Sequence, residues 1–161
     1  MNEPGTTTAT PDQFWGNPIS VYTRQQAIED GVLVDVTDWA SSGPDGMLGG
    51  FRVPVAMTHA LWDYVDVDAH DHASWRRVAR QRGESTRGRA HDVLWMARVA
   101  AGRSPDSDRV RFDVLMTMEG RRGRLVRRRL VLDARIDGDG VTIHVMPDPQ
   151  QCRCGQENQV L

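Results

Sequence analysis

The chain has 161 residues, of which 39% are hydrophobic and 26% are charged, and its formal net charge is −2 at pH 7. This length fits one domain with tails, and no apolar run approaches the roughly 20 residues that a membrane-spanning helix needs. The first ten residues contain no basic residue and no apolar stretch, which is not the pattern of a signal peptide. We therefore expect a cytoplasmic protein without a membrane partner.

The small net charge conceals a strong asymmetry along the chain. Residues 1–75 contain 2 Arg and 11 acidic residues, residues 76–129 contain 16 Arg and 6 acidic residues, and residues 130–161 contain 2 Arg and 5 acidic residues. All 20 basic residues are Arg, which binds phosphates and carboxylates bidentately and stays charged. Either the acidic and basic parts neutralise each other in the fold, or the basic block is available to an anionic partner.

Both ends of the chain have the composition of disordered segments. Residues 1–18 are rich in Thr, Pro and Gly without periodicity, and residues 148–161 are polar. We predict that both are disordered tails and that residues 19–147 form a single domain. The two cysteines of the chain, Cys152 and Cys154, lie in the second tail, where they cannot cross-link a core.

The first unit of the domain is a helix, a turn and a strand. Thr23 and Gln26 have the spacing of a capping box, which satisfies backbone N–H groups at the start of a helix. Gly31 can adopt the left-handed conformation that ends helices. The alternation of apolar residues over Val32–Val36 then predicts a strand.

Several helices and an extended segment are predicted next. Phe51–Met57 contains Pro54, which lacks an N–H donor, so this segment is expected to be an edge strand or an extended lead-in. Helices are predicted over Thr58–Val65, Ala73–Gln81 and, most strongly, His91–Arg103. Large buried areas are expected for four tryptophans: Trp39, Trp62, Trp75 and Trp95.

The last part of the domain alternates between apolar and polar residues over Arg109–Met118, Leu125–Ile136 and Val141–Met146. The turn before the third segment is Asp-Gly-Asp-Gly, with Gly where positive φ is needed. These segments predict a three-stranded antiparallel meander. The predicted fold class is therefore α+β, with a meander that the Val32–Val36 strand can extend and with helices packed on one face.

Three ordered blocks carry a resemblance: VYTRQQAIEDGVLVDV at residues 21–36, GFRVPVAMT at 50–58 and DVLWMA at 92–97. Together they resemble a family of small proteins of unknown function that is carried on bacterial plasmids, phages and integrated elements. The resemblance covers roughly residues 19–146. It implies no activity, catalytic residue or cofactor, but it implies an accessory protein of a mobile genetic element, with roles in transfer, defence or counter-defence.

An arginine cluster is the main candidate site. Residues 121–129 carry six arginines and no acidic residue: Arg121, Arg122, Arg124, Arg127, Arg128 and Arg129. Strand alternation places Arg127 and Arg129 on one face and Arg128 on the other. Such a hairpin can lie along a phosphate backbone, so we predict a surface that binds nucleic acid or an acidic protein partner. In the alternative interpretation the cluster is solvated and paired with carboxylates of the acidic half: Asp63, Asp66, Asp68 and Asp71.

Two further clusters contain potential metal ligands. Asp66, Asp68, His70, Asp71 and His72 could hold Zn, Mn or Fe, but their spacing matches no metal motif, so we expect a solvated acidic loop. The Cys-Arg-Cys pair in the second tail lacks the second pair of ligands that structural zinc requires. We therefore predict no metal and no cofactor.

An enzyme remains the alternative to a binding protein. The Tyr22-Thr23 pair followed by a short helix is loosely similar to the opening of ADP-ribosyltransferase-like folds, which is an analogy at the level of the fold. The later His, Tyr and Glu signatures of those enzymes are not evident. A deep pocket that gathers Tyr22, His59 or His91 with a carboxylate would favour catalysis. The leading hypothesis is a non-enzymatic binding protein.

Overall fold

The computed structural model describes residues 22–41, 50–69, 74–119 and 125–146. The elements in these ranges are α1 (Arg24–Glu29), β1 (Leu33–Asp35), α2 (Thr37–Ser41), β2 (Val55–Thr58), α3 (His59–Val65), α4 (Ser74–Gln81), α5 (Thr86–Arg103), β3 (Arg109–Glu119), β4 (Leu125–Asp137) and β5 (Gly140–Val145). The two predicted tails lie outside the described residues. No helix in the described ranges is long and apolar enough to cross a membrane.

The five strands form one mixed sheet in the order β1-β2-β5-β4-β3. β3 pairs with β4, β4 with β5 and β1 with β2 in antiparallel fashion, whereas β2 and β5 are parallel. Helices and sheet together confirm the α+β class. The sheet is larger than the predicted three-stranded antiparallel meander, because β1 and β2 add two strands and a parallel pair.

β2 lies inside the sheet and not at its edge, contrary to the expectation from Pro54. The proline directly precedes β2, so the ladder of the strand does not need the N–H that proline lacks. Its carbonyl oxygen accepts a hydrogen bond from Val141 N at 2.8 Å. Val55, Ala56 and Met57 then follow with no exposed surface.

The core lies between one face of the sheet and the helices α2, α3 and α5. Val93, Leu94 and Ala97 of α5 are buried against it and form the core-facing stripe of this helix. α5 begins at Thr86, earlier than the predicted His91. The additional turn forms because the Ser85 side chain accepts a hydrogen bond from Gly88 N at 3.1 Å and caps the helix.

The tryptophans are less uniformly buried than predicted. Trp39 and Trp62 are half-buried against the core, and their ring centroids are 5.7 Å apart. Trp95 is 44% exposed, since the residue after Leu94 on a helix points about 100° away from the buried stripe. Its ring stacks on His91 instead, with the centroids 6.2 Å apart.

α1 contacts the face of the sheet opposite to the core, so the helices do not all pack on one face as predicted. Arg24 of α1 donates from Nη1 to Thr142 Oγ1 and from Nη2 to Val141 O, both at 2.9 Å. Thr142 points away from the core because its neighbours Val141 and Ile143 are buried in it. α1 thus reaches this second face beside β5.

The end of α1 provides the first prediction. The predicted capping box between Thr23 and Gln26 is confirmed, and Gly31 follows the helix with φ 72°. A Cβ on Gly31 would meet no atom within 4 Å. Gly31→Ala therefore destabilises the fold through backbone strain and not through a steric clash. We expect its free energy of unfolding to fall by about 1 kcal/mol. Urea denaturation measures this difference, and an unchanged midpoint would contradict the left-handed conformation.

Candidate functional site

The second face of the sheet is lined by arginines over β3 and β4. Residues that alternate with the buried Phe112, Val114 and Leu132 point to this side. Five of them are exposed arginines, and we call the surface that they form the open face: Arg109 and Arg111 on β3, and Arg127, Arg129 and Arg135 on β4. No Phe, Tyr or Trp shares this surface in the described parts of the two strands.

The strand register arranges the outward residues in rows across the sheet. One row contains Arg109, Arg135 and Thr142 on β3, β4 and β5. Because Arg24 of α1 donates to Thr142, that row brings three guanidinium groups to one end of the open face. The neighbouring row contains Arg111, Asp133 and His144.

Asp133 is a carboxylate with only 1% exposure, although it lies on the outward side of β4. Arg109 donates from Nε to Asp133 Oδ2 at 2.6 Å. His144 Nε2 is 3.4 Å from the same oxygen, and Arg111 Nε is 4.0 Å from Oδ1. A buried charge is tolerated when it is paired and hydrogen-bonded, and these three side chains both cover and pair the carboxylate.

At the other end of the open face, carboxylates compensate less of the positive charge. Arg129 Nη1 is 3.5 Å from Asp113 Oδ2, and because both side chains are exposed this ion pair contributes little to stability. Arg127 makes no ion pair with any side chain that the structure describes. The five arginines of the open face therefore have two carboxylate partners, Asp113 and Asp133, which leaves an excess of positive charge.

The acidic half of the chain supplies its carboxylates elsewhere. Asp63, which was a candidate to neutralise the arginine cluster, is 3.8 Å from His59 Nε2 and 4.0 Å from Arg76 Nη2. Arg76 Nη2 also donates to the backbone oxygen of Asp63 at 2.9 Å. This carboxylate thus connects α3 with α4. Asp71 lies outside the described residues.

Asp66 and Asp68 bind the beginning of α5. Thr86 donates from Oγ1 to Asp66 Oδ1 at 2.9 Å and from its backbone N to Asp68 Oδ2 at 3.2 Å. The hydrogen bonds of Thr86 lower the pKa of Asp68, with a smaller contribution from the charge of Arg80. These two potential metal ligands therefore hold a helix end, and His70, Asp71 and His72 lie outside the described residues.

Within the described ranges, no group of three His, Cys, Asp or Glu side chains could hold a metal ion. Cys152 and Cys154 are not among the described residues.

The structure describes three of the six predicted site residues. Arg127 and Arg129 share the open face, whereas Arg128 is half-buried on the opposite side of β4. The remaining three, Arg121, Arg122 and Arg124, lie outside the described residues. Sequence reasoning missed Arg109, Arg111 and Arg135. Strand alternation could have predicted two of them, since placing Val110 and Phe112 on the core face puts Arg109 and Arg111 on the opposite face.

The residues of the enzymatic hypothesis do not converge on one carboxylate. Tyr22 donates its hydroxyl to Asp30 Oδ2 at 2.9 Å, and this hydrogen bond raises the pKa of Tyr22. His59 has Asp63 as its carboxylate partner. His91 Nδ1 lies 3.4 Å from Asp92 Oδ1.

A hollow of about 310 Å³ lies beside His91 and Asp92, and Glu84 and Arg127 also line it. It is open to solvent and not the deep pocket that catalysis would favour. The Glu84 carboxylate accepts hydrogen bonds from Nε and Nη2 of Arg89 at 2.9 and 2.6 Å. Glu84 is thus held by a structural ion pair.

Comparison with known proteins places the chain in one family. A family model described as a family of unknown function (DUF6573) matches residues 14–148. No curated protein and no solved structure matches the chain.

Proposed function

The chain belongs to this family of unknown function, and we propose that its open face binds the phosphate backbone of nucleic acid. The observation that supports the proposal is the excess of arginine on the β3–β4 surface, where five guanidinium groups have two carboxylate partners. In this function the protein is a non-enzymatic accessory protein of a mobile genetic element that acts in the cytoplasm.

The composition of the open face indicates how it recognises nucleic acid. Phe, Tyr and Trp side chains, on which bases stack, do not occur on the described part of this surface, so stacking contributes little. Arginine contacts to phosphates position a protein on nucleic acid without reading its sequence. We therefore infer binding that depends on salt and hardly on nucleotide sequence.

An acidic protein surface is the other candidate partner, because carboxylates bind guanidinium groups as phosphates do. The resemblance of residues 21–36, 50–58 and 92–97 to proteins of plasmids, phages and integrated elements supports nucleic acid as the partner. Among the described side chains Arg127 has no ion-pair partner, so its guanidinium can contact an external anion of either kind.

The second prediction tests this function by titration of labelled duplex and single-stranded oligonucleotides. We expect binding at about 50 mM salt that weakens steeply towards about 200 mM, with a log–log slope of about −0.9 per duplex phosphate neutralised. The Arg127→Ala/Arg129→Ala variant should bind more weakly, and its slope should be shallower by about 2 because two phosphate contacts are removed. Two duplexes of unrelated sequence should bind equally.

The control variant is Arg82→Ala/Arg87→Ala. It removes the same charge from exposed positions just after α4 and at the beginning of α5, outside strands β3 and β4. Its affinity should stay close to that of the wild type. Absence of wild-type binding at low salt, or equal losses in the two double variants, would contradict the proposal and favour a protein partner.

A further inference from the structure

We propose that Asp133 and the cations around it form a discrete site for one phosphate group at one end of the open face. The inference rests on the proposed function and specifies where a phosphate is held most firmly. Arg109 and Arg111 bind the phosphate in this site. Asp133 does not contact it and acts as a positioning residue for the two guanidinium groups.

Asp133 faces Arg109 and Arg111 through their Nε atoms, which leaves the terminal Nη atoms of both side chains available for a ligand. Arg109 meets the carboxylate through Nε at 2.6 Å, and Arg111 faces it through Nε at 4.0 Å. The terminal Nη1 and Nη2 atoms of both side chains have no partner among the described residues, and the side chains are 52% and 61% exposed. A guanidinium fixed through Nε presents two terminal NH₂ groups, which suits bidentate contact with phosphate oxygens.

The surrounding charge favours a ligand with more than one negative charge. Arg135 lies opposite Arg109 in the strand register, and Arg24 reaches the next residue of the same row, Thr142. Arg109 and Arg111 thus face one buried carboxylate, to which His144 lies at 3.4 Å, and Arg135 and Arg24 add two positive charges in the neighbouring row. One carboxylate compensates one of these positive charges, so the site has a surplus that a phosphate neutralises.

The proposal and a purely electrostatic interpretation predict opposite effects for Asp133→Asn. Removing a negative charge from a cationic surface strengthens anion binding if charge alone decides. If Asp133 positions the guanidinium groups, its replacement releases them from their charged acceptor and weakens binding. The sign of the change in affinity therefore separates the two interpretations.

The test uses the full-length chain with two probes, inorganic phosphate and the single-stranded oligonucleotide. For Asp133→Asn we expect an affinity about tenfold lower for both probes, since a charge-assisted hydrogen bond that orients the binding groups is lost. In NMR spectra of the wild type, inorganic phosphate should shift the Nε–Hε signals of Arg109 and Arg111. The Arg87 signal should not move.

Two further variants complete the design. Asp113→Asn removes the same charge from the exposed partner of Arg129, and its affinity should equal or exceed that of the wild type. Arg109→Lys keeps the charge but loses the planar fork, and it should weaken the binding of inorganic phosphate. Circular dichroism will show whether Asp133→Asn folds. If it does not, the phosphate affinity of Arg109→Lys and the NMR shifts of the wild type test the discrete site instead.

The outcomes distinguish this site from the proposed function. Tighter binding by Asp133→Asn, or wild-type affinity of Arg109→Lys for phosphate, overturns the discrete site. The proposed function then survives if Arg127→Ala/Arg129→Ala still weakens oligonucleotide binding. A wild-type chain that binds neither probe at low salt overturns both.

Discussion

Replacing Arg89 by Met is expected to lower the free energy of unfolding by about 3 kcal/mol. Arg89 lies near the start of α5 and is 4% exposed. Its Nη1 donates to Tyr64 O in α3 and its Nη2 donates to Thr117 O on β3, both at 2.6 Å. With its contacts to Glu84, this single side chain joins α3, α5 and β3.

The magnitude follows from what the substitution leaves behind. Methionine fills much of the volume of the arginine stem but donates no hydrogen bond. The carbonyl group of Thr117 then loses a charged donor in a buried place, and that of Tyr64 loses one in a partly buried place. Glu84 is 27% exposed and can regain water, which keeps the cost at the lower end of the roughly 3–5 kcal/mol seen for broken buried ion pairs.

Arg87→Met is the matched control, because Arg87 lies two residues earlier on the same helix and is exposed. Its free energy of unfolding should stay within about 0.5 kcal/mol of the wild-type value. Urea denaturation followed by circular dichroism measures both variants. Equal stability of the two would show that the Arg89 contacts do not stabilise the fold.

The sequence predicted those features that depend on residues a few positions apart. The capping box of Thr23 and Gln26 and the glycine that ends α1 are both confirmed. Each is decided by local hydrogen bonds and backbone conformation. The α+β class followed from the same local periodicities.

Pairing between distant segments was not predictable in this way. β2 and β5 are parallel neighbours, yet many elements separate them along the chain. Nothing near Pro54 specifies a partner strand, and a proline beside a short apolar run suits an edge as well as the start of an inner strand. Only the complete sheet, in which β2 is buried on both sides, decides between the two.

The candidate site was likewise predictable only in part from the sequence. Alternation was sufficient to place Arg127 and Arg129 on one face. It did not predict that the hairpin register sets Arg111 opposite Asp133 and Arg109 opposite Arg135, because register depends on the geometry of the whole hairpin. Asp133 is also contacted by His144 from β5, a contact between strands that no local pattern encodes.

The turn between β4 and β5 carries a second large stability effect, which we expect for Gly140→Ala. Gly140 has φ 142°, a conformation that side-chain-bearing residues rarely adopt. A Cβ at this position would also collide with the backbone carbonyl oxygen of Pro54. We expect the free energy of unfolding to fall by roughly 2–5 kcal/mol, from backbone strain and steric overlap together.

A small shift cannot relieve this collision without a cost in stability. The oxygen that the Cβ would meet, Pro54 O, is also a hydrogen-bond acceptor between β2 and β5. Pro54 O accepts the hydrogen bond from Val141 N at 2.8 Å, where the parallel pairing of β2 and β5 begins. Moving Pro54 away to admit a methyl group therefore lengthens that bond and disturbs the buried β2. Gly138→Ala in the same turn is the control, since a Cβ there meets nothing within 4 Å. Thermal and urea denaturation of the two variants should separate them clearly, and equal stability would mean that β2 is not held against β5 at this point.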